Sequence, residues 1–349
     1  MVGRDGVRKV TSQDVARRAG VSRAAVSLVL NGRGSGNIAP EKQELIRAAA
    51  RELGYVPNAA AVNLRVQRTR TIGLVTDTIA TTAFGGAVVA GAMERAGQDG
   101  YLTMVVDTED DPDAEARAFE ALQHRQVDGL MFAAQSLREH PVDHLVGATP
   151  AVLANCVDPG GHHGAWFPDE VAGGRLATRA VLERGHRDIA CLTGAAQTMA
   201  TGLRARGFEL ELADAGVTGC GTHPCGWEIR DGHRVATALL SRPDRPTALV
   251  CANDRVAIGA VLAATALGLS VPQDVSVVGY DDDENAAPAM VPALTTVGLP
   301  HREMGEQAMG ALLAQLAGEP HQPAQVAIPG PLIQRDSVAA PPARVRPGR

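Results

Sequence analysis

The sequence predicts an α/β protein in two parts: a small three-helix head containing a helix-turn-helix, and a two-lobed body of parallel sheets covered by helices. Three observations carry this. Residues 10–54 show short apolar stripes at helical spacing, punctuated by glycine, whereas from Thr71 onward short β-rich runs alternate with helical patterns. At 349 residues the chain is also too long for one compact core.

The head follows from its punctuation. Thr11 and Asp14 have capping-box spacing, Val15, Ala16 and Ala19 share one helical face, and Gly20 ends the first helix. Ser22 restarts the chain as an N-cap, and Ala25, Val26, Val29 and Leu30 line a second helix that stops at Asn31-Gly32. Two short helices joined by a tight glycine turn make a helix-turn-helix. Pro40 opens a third helix whose stripe of Leu45, Ile46, Ala49 and Leu53 is closed by Gly54. The weakly apolar tract Ala59 to Leu64 and the basic run Arg65, Arg68, Arg70 read as a linker that folds only against something else.

In the body the strand runs are TIGLVTD, YLTMVVDTED, VDGLMFAA and PAVLANCV, then RDIACLTG, TALVCAND and VSVVGYDDDE. Helical patterns fall near 85–99, 112–125, 171–184, 202–215, 230–240 and 255–267. This rhythm implies parallel sheets covered on both faces, arranged as two lobes. The expected divisions are 1–58 for the head, 59–70 for the linker, 71–165 with 297–325 for the first lobe, and 166–296 with 326–340 for the second. The proline-rich, basic stretch 341–349 is expected to be disordered.

Composition narrows the function. Residues 1–70 hold 13 Lys and Arg against 5 Asp and Glu, so the net charge of −6 divides into +8 for the head and −14 for the body. A compact basic head is the footprint of a polyphosphate partner. No apolar run is long enough to span a bilayer, and the N-terminus lacks the apolar stretch of a secretory signal, so a cytoplasmic protein is expected. The five cysteines, Cys156, Cys191, Cys220, Cys225 and Cys251, read as small hydrophobes in a reducing compartment.

The tracts VTSQDVARRAGVSRAAVSLVLNG at 10–32, ELGYVPNAAAVNLR at 52–65, GHRDIACLTG, LVCANDRVAIGA and DVSVVGYDDDE followed by LTTV together closely resemble the lactose/galactose-repressor family of bacterial transcription regulators. They occur in the family's order over nearly the whole chain. The resemblance implies a periplasmic-binding-protein-like sensor body, and a hinge helix at Asn58 to Leu64 that folds on DNA with Leu64 wedged into the minor groove. Small residues such as Ala61 would let two hinge helices of a dimer pack. In a helix-turn-helix the start of the second helix meets base edges, which nominates Arg23, Ala24 and Ala25; Arg23 is the natural reader of guanine. Relatives carry Thr where Ala25 stands and Arg or His where Leu28 stands, so base readout is expected to be thin. Thr11, Ser22, Ser27 and Asn31 are placed for phosphate oxygens, although Thr11 and Ser22 also serve as helix caps.

Ligands of parallel α/β sheets bind beyond the carboxyl ends of the strands. Asp77, Asn253 and Asp281 fall there, and Asp169 lies where the second lobe is expected to begin. The resemblance implies that Asp169, Arg204, Asn253 and Asp281 bind an effector. Carboxylate, amide and guanidinium groups each bond vicinal hydroxyls. Phe84, Trp166, Phe167 and Trp227 fall near the expected cleft, and an aromatic ring can stack on the apolar face of a sugar. The alternatives are Asp281 as a strand-end cap, Arg204 as a solvated charge and Trp227 as core. Cys220, His223 and Cys225 lack a second ligand pair for a metal, and Asp281 to Glu284 reads as a solvated turn rather than a magnesium site. No catalytic elbow, zinc motif or acid/base pair suggests an enzyme, and no cofactor is expected. The expectation is therefore a homodimeric repressor of carbohydrate-utilisation genes, released from a palindromic operator by a sugar. The alternatives are a corepressor-dependent regulator sensing a purine or other metabolite, and a sugar-binding sensor without a DNA role.

Overall fold

The computed structural model describes residues 10–55, 68–78, 85–195, 198–320 and 322–343. The chain divides into two compact units, Met1–Thr69 and Arg70–Arg349.

In the first unit, α1 (Ser12–Ala19), α2 (Arg23–Leu30) and α3 (Pro40–Glu52) enclose a core of Val15, Ala16, Val26, Val29, Ile46, Ala49 and Ala50. The punctuation works as the sequence predicts. Thr11 and Asp14 form a reciprocal capping box on α1, Gly20 closes that helix in the left-handed region at φ 64°, and Ser22 caps α2. Arg18 reaches Glu52 at 2.8 Å, tying α1 to the end of α3.

The second unit holds two six-stranded sheets. The elements run β1 (Thr71–Thr76), α4 (Gly86–Gln98), β2 (Leu102–Asp107), α5 (Pro112–His124), β3 (Gly129–Glu139), α6 (Asp143–Val146), β4 (Ala151–Val157) and β5 (Gly164–Pro168). They continue as α7 (Glu170–Leu182), β6 (Ile189–Thr193), α8 (Met199–Asp214), β7 (Thr222–Pro224), α9 (Ile229–Leu240), β8 (Ala248–Cys251), α10 (Asp254–Ala266) and β9 (Ser276–Asp281). The chain then crosses back and forth through β10 (Thr295–Gly298), α11 (His301–Ala317), β11 (Gln325–Ile328) and β12 (Leu332–Ile333). The first sheet has the order β11-β5-β4-β3-β1-β2 and is parallel throughout; the second, β12-β10-β9-β8-β6-β7, is parallel except for β12.

Sheet membership moves the expected crossings. Trp166, Phe167 and Pro168 stay in the first sheet on β5, all of β10 belongs to the second, and β11 carries residues 325–328 back to the first. Each crossing therefore falls two or three residues later than the expected 165/166, 296/297 and 325/326 boundaries, because a strand changes sheet only after its last ladder bond. Residues 341–343 of the expected disordered tail are described, as irregular chain, and the rest lies outside the described residues.

Two features of the second lobe position the site. First, α7 and α8 cross at glycines: a Cβ on Gly174 would meet the backbone carbonyl of Arg204, and one on Gly207 would meet that of Val171, both well inside van der Waals contact. This close approach carries Glu170 and Arg204 to each other. Second, Asp254 at the start of α10 is buried; it accepts the Thr296 hydroxyl at 2.6 Å and the Asp283 backbone N–H at 2.8 Å, fixing the helix against β9 and β10.

Two outcomes follow for stability. Gly207→Ala should lower the unfolding free energy by about 1–3 kcal/mol in chemical denaturation, because the helices must part to admit a methyl group. Burial, and then the neighbouring Asp282 and Asp283, raise the Asp254 carboxyl from 3.8 to about 6. The folded protein thus holds this proton more tightly than the unfolded chain, so the contribution is full below about pH 4 and is lost as pH rises through about 6. Asp254→Asn should flatten that stretch of the stability profile in thermal melts.

Candidate DNA-reading face and effector cavity

The start of α2 presents Arg23 and Ala24 to solvent, and Ser22 beside them is exposed although its hydroxyl accepts the Ala25 N–H at 3.1 Å. Ala25 is half-buried and packs on the head core, so it offers less to a partner than its position in the helix suggests. Ser27 accepts the Asn31 side-chain N–H at 3.2 Å, one turn on. Thr11 donates its hydroxyl to Asp14 at 2.7 Å. These four polar residues are thus organised by capping and local bonds while their outer surfaces stay accessible. Asn58, Ala61 and Leu64 lie outside the described residues.

In the body, a cavity of about 920 Å³ opens between the two lobes at the carboxyl ends of the strands. From the first lobe, Asp77 follows β1 and accepts the Gln135 N–H at 3.0 Å; Arg138, on the extension of β3, lies 3.6 Å from Asp77 and 2.7 Å from Asp110. From the second lobe, Arg204 on α8 donates to both oxygens of Glu170 at 2.7 and 2.9 Å and to the Ala252 carbonyl at 2.6 Å. It also lies 3.6 Å from Asp281 and 3.7 Å over the Tyr280 ring. A fork of N–H groups satisfied this completely is a fixed strut rather than a solvated charge.

Asn253 serves two roles. Its carbonyl oxygen caps α10 through the Val256 N–H at 2.8 Å, and its amide donates to the Trp227 carbonyl at 3.1 Å, setting the loop that carries the indole. Asp281 ends β9 with φ 114°, a backbone conformation that costs energy in a non-glycine residue and collects at functional sites. Burial pushes its carboxyl well above the ordinary range, against the pull of Arg204.

Asp77, Arg204, Trp227, Asn253 and Asp281 therefore share one cavity, as the sequence predicts. Phe84 lies outside the described residues. Asp169 is a correction: it does not line the cavity but caps α7 through the Ala172 N–H at 2.9 Å, and its neighbour Glu170 points inward instead. Trp166 is also corrected, being core of the first lobe, and Phe167 packs on that lobe's other apolar cluster. Sequence reasoning missed Glu170, Arg138, Gln135 and Asn155. Glu170 had a signal, adjacency to Asp169; Arg138 and Gln135 sit on a strand extension that the apolar run VDGLMFAA does not announce.

Asp282 pairs with Arg335 at 2.7 Å, and the Asp283 N–H serves Asp254, which makes this acidic run a structural turn. Among the described residues no group of three His, Cys, Asp or Glu is placed to hold a metal ion, and no helix is long and apolar enough to cross a membrane.

Comparison with known proteins assigns both units. Residues 11–58 match the model of bacterial regulatory proteins of the lacI family, and residues 178–338 match a periplasmic binding protein-like domain. The HTH-type transcriptional repressor PurR of Serratia proteamaculans is 34% identical over 342 residues, covering 94% of this chain and 97% of that protein. The Escherichia coli PurR repressor is 33% identical, covering 96% and 98%. Among solved structures, the Lac repressor dimer bound to operator and the anti-inducer ONPF has a TM-score of 0.82 at 29% identity, covering 95% of this chain and 100% of that one. The transcriptional regulator CelR in complex with cellobiose has a TM-score of 0.67 at 28% identity, covering 94% and 100%. The chain belongs to the LacI family of bacterial regulatory proteins and is a DNA-binding transcriptional repressor.

Proposed function

We propose that the protein acts in the cytoplasm as a homodimer on a palindromic operator, and that a small carbohydrate in the inter-lobe cavity releases it. The observation that carries the effector reading is the lining of that cavity: carboxylates, amides and guanidinium groups held rigidly by mutual hydrogen bonds, with one indole beside them. Prepositioned carboxylate acceptors suit the adjacent hydroxyls of a sugar, and an indole suits its apolar face. The volume admits a mono- or disaccharide.

The DNA reading rests on the basic head. Arg23 reads a base edge in the major groove, Ala24 and Ala25 contribute at most apolar contact, and Thr11, Ser22, Ser27 and Asn31 bond phosphates and set register. Asn58, Ala61 and Leu64 form the hinge that reaches the minor groove. Two heads about one helical turn apart read two half-sites. Ligand in the cavity changes the angle between the lobes and separates the hinges, with a coupling of about 1–3 kcal/mol.

The identity to the PurR repressors, 33–34%, exceeds the 28–29% to the Lac repressor and CelR structures, which favours a second reading: a corepressor, a purine or another metabolite, that strengthens operator binding.

Operator-library selection with purified protein, repeated across a panel of sugars and purines, separates these readings. The first requires a palindrome whose binding one sugar weakens; tighter binding with a purine replaces it with the second, and enrichment of no sequence at any salt concentration removes both. On the selected operator, Arg23→Ala should cost about 1–3 kcal/mol in fluorescence anisotropy and relax preference at one base position in each half-site. Trp227→Leu should leave operator affinity intact while weakening the sugar by about tenfold in calorimetric titration, a loss of the size expected for one stacking contact.

A further inference from the structure

The charge of the cavity restricts its ligand further, on the carbohydrate reading just given. Eight carboxylates line it against three arginines and one histidine. Each arginine already faces a carboxylate: Arg138 lies 2.7 Å from Asp110, Arg204 2.7 Å from Glu170, and Arg255 3.3 Å from Glu228. Residues 79–84 and 196–197, which adjoin the lining residues Thr78 and Thr198 in the chain, contain no ionisable side chain and so leave this balance unchanged.

The excess is not confined to a solvated rim. Asp77, Glu170, Asp254 and Asp281 have buried side chains, with exposures of 6%, 2% and 8% for Asp77, Glu170 and Asp281, so solvent screens them less than it does the carboxylates of the rim. The structure already responds to that field. Burial first, and neighbouring carboxylates after it, raise the Asp254 and Asp281 carboxyls above their ordinary range, so these two contribute less than full charges and the excess rests on the other six against three arginines.

The usual devices for accepting an anion are also largely in use. A phosphate is bound by an uncommitted guanidinium or by the open N–H groups of a helix N-terminus. Of the helices that start beside the cavity, four carry their own acceptors, Asp169 on α7, Thr198 on α8, Glu228 on α9 and Asn253 on α10, while α11, whose first residue His301 lines the cavity, follows Pro300 without a side-chain cap. Two of those four caps are themselves carboxylates.

We infer that the effector is the neutral sugar and that its phosphate ester is excluded, so that the signal is the carbohydrate before phosphorylation, not after it. A transported sugar that entered already esterified would be invisible to this cavity, and a reaction that phosphorylates the free sugar would remove the signal.

The test is calorimetric titration of the full chain, near neutral pH, with a neutral sugar from the panel and with the phosphate ester of the same sugar, each repeated at two salt concentrations. The ester should bind at least about 100-fold more weakly at low salt, and the gap should narrow as ionic strength rises from about 0.05 to about 0.5 M. Equal or tighter binding of the ester overturns the inference and leaves the carbohydrate reading standing. A gap unchanged by salt is steric and overturns its electrostatic basis. If no sugar in the panel binds but a purine does, the carbohydrate reading itself fails, and this inference with it.

Discussion

The second lobe is organised around the buried ion pair of Glu170 and Arg204. A carboxylate and a guanidinium removed from water are tolerated only when nearly every hydrogen-bonding position is filled, and here the fork of Arg204 is taken by both Glu170 oxygens and the Ala252 carbonyl. Meeting these demands fixes several elements at once. The two residues stand on α7 and α8, which must approach as closely as Gly174 and Gly207 allow. Ala252 lies just past β8, and the Tyr280 ring beneath the guanidinium belongs to β9. One satisfied pair thus ties two helices to two strand ends at the place where a ligand would enter.

The first lobe repeats the principle with a looser arrangement. Arg138 spans Asp77 and Asp110, but it is a third exposed, and Asp110 is mostly so. Its pairing should be easier to rearrange than that of Arg204, since exposed ion pairs contribute little and cost little to break. A cavity with one wall locked by a buried pair and the other held by a half-solvated one suits a body whose lobes adjust their angle around a ligand. The backbone of Asp281 is held in a costly conformation at the end of β9, beside the locked wall.

The head shows a different economy. Its core is seven small or branched apolar side chains, and the capping box at Thr11 and the cap at Ser22 supply what so small a core cannot. Thr11 and Ser22, which cap its first two helices, also face outward at the helix starts, so capping leaves their outer surfaces accessible.

How much of this was legible in the sequence depends on the range of the interaction concerned. The head was legible because capping, glycine stops and apolar stripes act within four residues, and the alternation of strands and helices in the body was legible for the same reason. Strand-end polar residues pointed to the cavity: Asp77, Asn253 and Asp281 lie there because parallel sheets expose their carboxyl ends. Family motifs added Arg204 and Trp227. What only the tertiary structure decided was contact between distant segments. Whether Asp169 or Glu170 faces the cavity turns on which of them caps α7. That Arg138 belongs to the site depends on β3 continuing past its apolar run, and that β5 and β11 return to the first sheet depends on ladder bonds between residues about 160 apart in sequence. Local spacing encodes elements; it does not encode which side chain a neighbouring element leaves unsatisfied, and that remainder is what the cavity offers to its ligand.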